Sequence, residues 1–292
     1  NYDGGYAYPF FLMDVNAQSW QDLYLTHYEK FLSEYKFEGV YFDCVSVYAY
    51  QSPKGEFSYR VFSVRDFIQR IYVLQRKLNP ESWSFAHCGS AICDFNVLFS
   101  DIMLTGEHYR AECMKYRYYL EFLTLEEFRI QNCTEFGPLR MFLPQFRGSK
   151  TKAPDIAVHT MGMVMLHNQY LYPSFIEKNV IEACRNRYYS FYDHGGNNRF
   201  VPYWQAGAVS SGNPAVPCSA FVNDSGKMLI FLNSTAKAQQ FTIPAELTGE
   251  IQVYDPLTDQ TTKCKPGETV AIEPYMMKMA LAGSPASWQN IR

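Results

Sequence analysis

Gly39-Val40-Tyr41-Phe42-Asp43 and Ser100-Asp101-Ile102-Met103-Leu104-Thr105-Gly106-Glu107 are short runs of apolar, β-branched and aromatic residues, and each closes on an acid. Runs of this kind read as buried strands, and a polar residue at the end marks where the strand leaves the core. Similar runs stand at residues 8–14, 82–87, 139–145 and 169–173. Between them the spacing predicts helices over residues 20–35, 61–78, 115–130, 156–167 and 180–192. Leu23, Leu25, Tyr28, Phe31 and Leu32 form the apolar stripe of the first helix, with Asn16 or Ser19 placed to cap it; Phe62, Phe67, Ile71 and Leu74 form that of the second. Strands regularly separated by helices imply an α/β fold with a parallel sheet and right-handed crossovers.

Past residue 200 the pattern changes. Short strands at residues 220–222, 228–232, 240–243, 250–254, 269–272 and 277–281 follow one another through turn-like Asn-Asp-Ser-Gly, Asp-Pro-Leu-Thr-Asp and Lys-Pro-Gly-Glu, as in an antiparallel sandwich. The expected organisation is a (β/α)8 TIM-type barrel over residues 1–198, a C-terminal antiparallel β-sandwich over 199–285 and a tail at 286–292. Six strands cannot close an eight-strand barrel, and the chain opens at Asn1 with neither an initiator Met nor a signal peptide. Strands three to eight are therefore expected here, with the early strands in a missing N-terminal part of the same protein. An open doubly wound sheet is the alternative architecture.

Composition narrows the function. With 292 residues, 47% of them apolar and 19% charged, the chain can bury a large core. A net charge of -3 without any Lys/Arg-rich block argues against nucleic acid or an anionic membrane surface as partner. No run approaches the roughly 18 apolar residues of a membrane span. Eight cysteines stand singly, without a Cys-x-x-Cys pair or zinc-finger spacing, so neither metal nor cofactor is expected. They read as mostly free thiols, with a Cys88–Cys93 bridge as the alternative. No Gly-x-Ser-x-Gly elbow, phosphate-cradling loop or His-Glu-x-x-His is present. The 23 Tyr and 22 Phe serve chiefly as core and also supply platforms for stacking on sugars. Asn132, Asn223 and Asn233 begin Asn-x-Ser/Thr triplets, which fit export of the protein to the cell surface, the periplasm or the medium.

Alternation along the strands selects candidate site residues. Tyr41 and Asp43 share one side, with Val40 and Phe42 on the other. Asp101, Met103, Thr105 and Glu107 line up likewise, Asp101 lying deeper and reading as structural. His87 ends the strand between those of Asp43 and Glu107, where it can contact substrate or tune a carboxyl. Asp14 ends the preceding strand. His108, Tyr109, Gln145, Arg147 and Tyr172 complete the predicted rim. At a barrel mouth these positions belong to the catalytic face. Two carboxyls on alternate strands start about 10 Å apart at the backbone, a figure that inward-leaning side chains reduce. The resulting range spans both the roughly 5 Å of retaining and the roughly 6.5 to 9.5 Å of inverting glycosidases, so both outcomes stay open.

Gly-Val-Tyr-Phe-Asp after a helix, a His ending the next strand and Asp-Ile-Met-Leu-Thr-Gly-Glu on the strand after that resemble glycoside-hydrolase-like barrels. More distantly they resemble the α-galactosidase group, a (β/α)8 barrel followed by an antiparallel β-domain. The resemblance implies that Asp43 is the nucleophile and Glu107 the acid/base, although Glu stands where that group has Asp. Hexosaminidases that use the substrate N-acetyl group rely on adjacent Asp-Glu, a dipeptide this sequence lacks. The expectation is a glycoside hydrolase acting on an oligo- or polysaccharide, Asp43 serving as nucleophile or base and Glu107 as general acid. The alternative is a non-catalytic carbohydrate-binding protein on a degenerate barrel.

Overall fold

The computed structural model describes residues 13–45, 50–51, 55–89, 98–133, 137–193 and 195–283. Two compact units divide the chain. The first runs to Met103 and takes in Leu139; the second runs from Leu104 and includes everything from Arg140 onward.

In the first unit, helix α1 (Gln18–Tyr35) leads into strand β1 (Gly39–Phe42). A two-stranded antiparallel ribbon, β2 (Tyr50–Gln51) with β3 (Phe57–Ser58), follows before the next helix. Helix α2 (Val61–Leu78) then leads to β4 (Trp83–His87), which pairs in parallel with β1 so that Gly39 lies opposite Trp83 and Phe42 opposite Ala86. Tyr28 and Leu32 of α1 and Phe67, Ile68 and Ile71 of α2 bury with Ala86, and Val40 and Phe42 pack on them. Full burial of each such side chain contributes about 1.5 to 3 kcal/mol. Both helices thus cover one side of the two strands. Tyr41 and Trp83 occupy the other row, where Trp83 is 55% exposed. Three expectations change. Leu23, Phe31 and Phe62 are exposed. Ala17 caps α1 with no side-chain bond, so neither Asn16 nor Ser19 does so. The strand predicted at 8–14 lies outside the described residues up to 12, and Met13 and Asp14 are not in a strand.

Strand β5 spans Ile102–Thr105, shorter at both ends than the run Ser100–Glu107. Asp101, just before it, accepts from Arg76 Nη2 at 2.5 Å, from Ser84 N at 2.7 Å and from Ser84 Oγ at 3.1 Å. These bonds offset the cost of burying its charge, in the structural role expected of it. Met103 buries in the same cluster as Phe67. The row of Asp101 and Met103 therefore faces α1 and α2, which corrects the alternation that aligned it with Glu107.

The second unit contains α3 (Arg110–Lys115), α4 (Leu125–Asn132), strand β6 (Leu139–Phe142) from Arg140 on, α5 (Pro154–Leu166), β7 (Tyr170–Leu171) and α6 (Lys178–Asp193). A capping box starts α4: Thr124 Oγ1 accepts from Glu127 N at 3.1 Å and Glu127 Oε2 from Thr124 N at 2.7 Å. Within the units, Asp101 N donates to Ser84 O, Leu139 N to Asp101 O and Leu143 N to Thr105 O, while β6 pairs in parallel with β7. The strand order is β1-β4-β5-β6-β7.

The C-terminal strands are β8 (Arg199–Val201), β9 (Cys218–Asn223), β10 (Gly226–Leu232), β11 (Gln239–Thr242), β12 (Glu250–Asp255), β13 (Gln260–Cys264), β14 (Thr269–Ile272) and β15 (Met277–Gly283). They form an antiparallel sheet in the order β13-β12-β15-β10-β9-β8 and a β11-β14 pair, with Phe231 and Phe241 stacked between the two at 4.0 Å and 18°. Every residue of α5 from Ile156 to Leu166 is buried, because it packs on α6 and on β9, β10 and β15. Gly162 permits this approach: a Cβ there would meet Leu232 Cδ1 at 2.8 Å and Met277 Cβ at 2.9 Å. Helices give way to strands at β8, and this packing joins the later helices to the C-terminal sheets within the second unit.

The Asn-x-Ser/Thr reading is corrected. Asn132, Asn223 and Asn233 are buried, and their amides donate to Phe128 O, Phe191 O and Lys237 O respectively. A glycan needs an exposed amide nitrogen.

Candidate active site

Asp43 directly follows β1, where its side chain is 62% exposed while that of His87 is 11% exposed. The backbone N–H of Cys44 donates to Asp43 Oδ1 at 2.8 Å, and His87 Nδ1 lies 2.8 Å from the same oxygen. An ionised carboxylate only accepts, so the bond requires a proton on Nδ1. The Tyr41 hydroxyl sits 2.8 Å from Nδ1 and 3.4 Å from Asp43 Oδ1; its lone pair then faces the ring and its proton the carboxylate. Val45 N donates to His87 O at 2.8 Å, extending the β1-β4 ladder past the acid. Between these bonds Cys44 adopts φ 58°, a left-handed conformation uncommon outside glycine, which fits a tightly held strand exit. Tyr41 is the residue that sequence reasoning left without a role, although alternation had placed it beside Asp43.

Asp14 is engaged elsewhere in the same unit. Its carboxylate pairs with Arg60 and accepts from Asn16 N at 2.9 Å.

In the second unit, Glu107 opens a one-turn 3-10 helix, Glu107–Tyr109, rather than continuing β5. Gly106 causes the break at φ 109°, where a Cβ would stand 2.4 Å from Leu143 O. Arg147 donates to Gln145 Oε1 at 2.9 Å and Phe146 O at 2.8 Å, and its guanidinium lies 3.8 Å over the Phe175 ring. Burial and the nearby Arg110 charge hold Arg147 below the ordinary arginine range, while Glu107 acts in the opposite direction. An acid and two guanidiniums therefore interact here. Tyr172 is half-exposed, its N–H donating to Phe142 O at 2.8 Å.

Two predicted rim residues lie inside instead. Tyr109 is buried in the core; its hydroxyl donates to Gln131 Oε1 at 2.6 Å and accepts from Asn132 Nδ2 at 3.0 Å. Gln145 is buried and holds Arg147. His108 donates from Nε2 to the same Gln131 oxygen at 3.2 Å, and burial pushes its pKa down against that bond. Gln131, Asn132 and Phe175 escaped sequence reasoning because nothing in the local pattern separates them from surface or core positions. Among the described residues no group of three His, Cys, Asp or Glu gathers to hold a metal ion, and no helix is long and apolar enough to cross a membrane. Cys113, Cys184 and Cys218 are buried free thiols, and the Cys88–Cys93 alternative lies outside the described residues at Cys93.

No protein-family model and no curated protein sequence matches the chain. Among solved structures it is similar to a GH27 β-L-arabinopyranosidase from Geobacillus stearothermophilus, with TM-score 0.52 and 10% identity over 94% of this chain and 64% of that one. It is similar to an α-amylase from Malbranchea cinnamomea, with TM-score 0.53 and 10% identity over 96% of this chain and 62% of that one. An α-amylase from Lactobacillus plantarum gives TM-score 0.57 and 10% identity over 91% of this chain and 67% of that one. The chain thus spans 62% to 67% of the length of these three. At such identities the likeness is one of fold, and the chain has a glycoside-hydrolase-like fold.

Proposed function

We propose that the chain is a glycosidase acting on an oligo- or polysaccharide, with Asp43 as nucleophile or base and Glu107 as general acid. The observation that carries this reading is the Asp43 carboxylate at the exit of β1: open to solvent, yet held by Cys44 N–H, His87 and Tyr41. A carboxylate that attacks or stabilises an anomeric carbon needs both access and fixed orientation. His87 and Tyr41 orient it, and Glu107 protonates the leaving oxygen. Arg147, Tyr172 and His108 contact the sugar.

In this reading the strands β1, β4, β5, β6 and β7 are consecutive members of a (β/α)8 barrel. Their spatial order follows their chain order, which supports single winding; a doubly wound sheet reverses direction at its switch point. A polymeric substrate goes with a periplasmic, cell-surface or extracellular location.

The test is hydrolysis of aryl glycosides and soluble polysaccharides by the full chain and by Asp43→Asn and Glu107→Gln. Each substitution is expected to lower kcat by about a hundred- to ten-thousand-fold, the usual contribution of a positioned acid or base, with unchanged circular dichroism. Near-normal turnover in both variants overturns the assignment. Glycan binding without turnover, unaffected by Asp43→Asn, identifies a binding protein instead.

A further inference from the structure

A second site lies in the second unit, where the chain enters β7. Two adjoining cavities of about 170 Å³ and 290 Å³ share Asn168, Tyr170, Tyr188, Tyr189 and Phe221. The smaller has an apolar floor from Met161, Val164 and Met165 of α5; the larger opens toward Arg199 and Phe200 of β8. One wall is a stripe of α6: Arg185, Tyr188, Tyr189 and Tyr192 stand at i, i+3, i+4 and i+7, the spacing of a single helix face. Such a stripe normally buries aliphatic side chains, yet Tyr189 and Tyr192 are exposed, as is Tyr170 across the cleft. The rings of Tyr188 and Tyr192 lie 5.8 Å apart at 31°, forming a stepped aromatic surface.

The two charged groups of the described lining, Arg185 and Arg199, bear the same sign. Among the described residues the Arg185 guanidinium reaches only Tyr189, its hydroxyl at 3.5 Å, and the Arg199 side chain has no hydrogen bond or ion pair. Among the described residues no Asp or Glu lines either cavity.

We propose that this cleft binds an acidic oligosaccharide, one carrying carboxylate or sulfate groups. Tyrosine faces accept the C–H side of a sugar ring, while guanidiniums without an acidic partner among the described residues suit the planar bidentate geometry of a carboxylate or sulfate. The absence of lining acids gives the cleft the field that concentrates an anion. The inference rests on the carbohydrate reading of this fold but not on Asp43 or Glu107. Its consequence is a polymer held at two places on one chain.

Affinity electrophoresis of the full chain through polygalacturonate, dextran sulfate and dextran tests it, the first carrying only carboxylates and the second only sulfates. Retardation by at least one acidic polymer and not by dextran is expected. Tyr189→Ala with Tyr192→Ala, and separately Arg185→Ala with Arg199→Ala, should each weaken it about tenfold or more. The Asp43→Asn, Glu107→Gln variant should bind as the wild type does. Equal retardation by dextran, none by either acidic polymer, or retardation that survives the tyrosine substitutions overturns the proposal. Binding in the expected pattern by a chain that cleaves no glycan keeps this site and removes the catalytic reading.

Discussion

Acidification from about pH 7.5 to about pH 5 should cost the fold roughly 4 kcal/mol, divided between two buried histidines. His159 of α5 lies between two backbone groups: the Tyr119 N–H donates to Nε2 at 3.0 Å, and Nδ1 donates to Tyr275 O at 2.9 Å. Nε2 is therefore an acceptor, and a proton there would oppose the Tyr119 N–H. Burial holds its pKa down to about 4 against the pull of Tyr275 O, Glu121 and Asp155. His167 donates from Nδ1 to Met163 O at 2.7 Å and stacks on Trp204 at 26°. Burial, with Arg129 nearby, holds it to about 4 as well.

The sign follows from linkage. Both pKa values are lower in the folded state than the ordinary 6.5. Between about pH 4 and about pH 6.5 the unfolded chain therefore binds more protons, and stability falls as pH falls through that window. Each histidine loses about 2 kcal/mol by pH 5 and about 3 kcal/mol once the pH is well below 4, at about 1.36 kcal/mol per pH unit of separation. Carboxyls held low contribute little above pH 5. In Asp155 burial works upward but is outweighed by Tyr118 and Arg117, so its contribution is lost only as pH falls below the ordinary value of 3.8. Urea unfolding followed by far-UV circular dichroism at both pH values measures the difference. His159→Gln, which can still donate and accept in that space, should remove about half of it. Wild-type stability that is the same at both pH values, or an undiminished loss in His159→Gln, refutes the reasoning.

Three further outcomes are expected. Gly162→Leu should destabilise the second unit by about 1 to 3 kcal/mol in the same urea assay, since its side chain meets Leu232 and Met277 below van der Waals distance. Tyr41→Phe keeps the ring, which is about half exposed, and should leave stability nearly unchanged; on the proposed reading it lowers kcat about tenfold through loss of the hydroxyl that braces His87 and Asp43. Expression in a glycosylating host should leave Asn132, Asn223 and Asn233 unmodified by peptide mass spectrometry, because all three amides are buried.

What could be read from sequence was whatever depended on alternation within an uninterrupted strand. Val40 and Phe42 turn to the helices and Tyr41 and Asp43 away, as their order predicts, and His87 meets Asp43. Glu107 lay beyond that logic because Gly106, at φ 109°, resets the direction of the chain. A glycine inside such a run signals a break, but not where the next side chain points. Strand β13 was missed for the opposite reason: Gln260-Thr-Thr-Lys is an exposed polar stretch with no apolar alternation, and its pairing with β12 holds it as a strand. Tyr109 and Gln145 carried the chemistry of rim residues, but their burial depends on α4 and on the fold around Arg147, which local pattern does not encode.

On the proposed reading, the dependence of Asp43 on register gives the helix-facing residues a part in the chemistry. Phe42 pairs with Ala86, so the next step of the ladder brings Asp43 level with His87, and the Val45 N–H to His87 O bond continues it. A slip of one residue would exchange the two faces of the strand and turn Asp43 toward α1 and α2. Burying that carboxylate without a partner would cost several kcal/mol. Exposing Val40 and Phe42 would forfeit the packing that now holds the strand. The apolar residues on the covered side therefore fix where the acid on the open side stands. Truncations there, such as Phe42→Ala, act on the Asp43–His87 geometry through the sheet rather than through any contact with substrate.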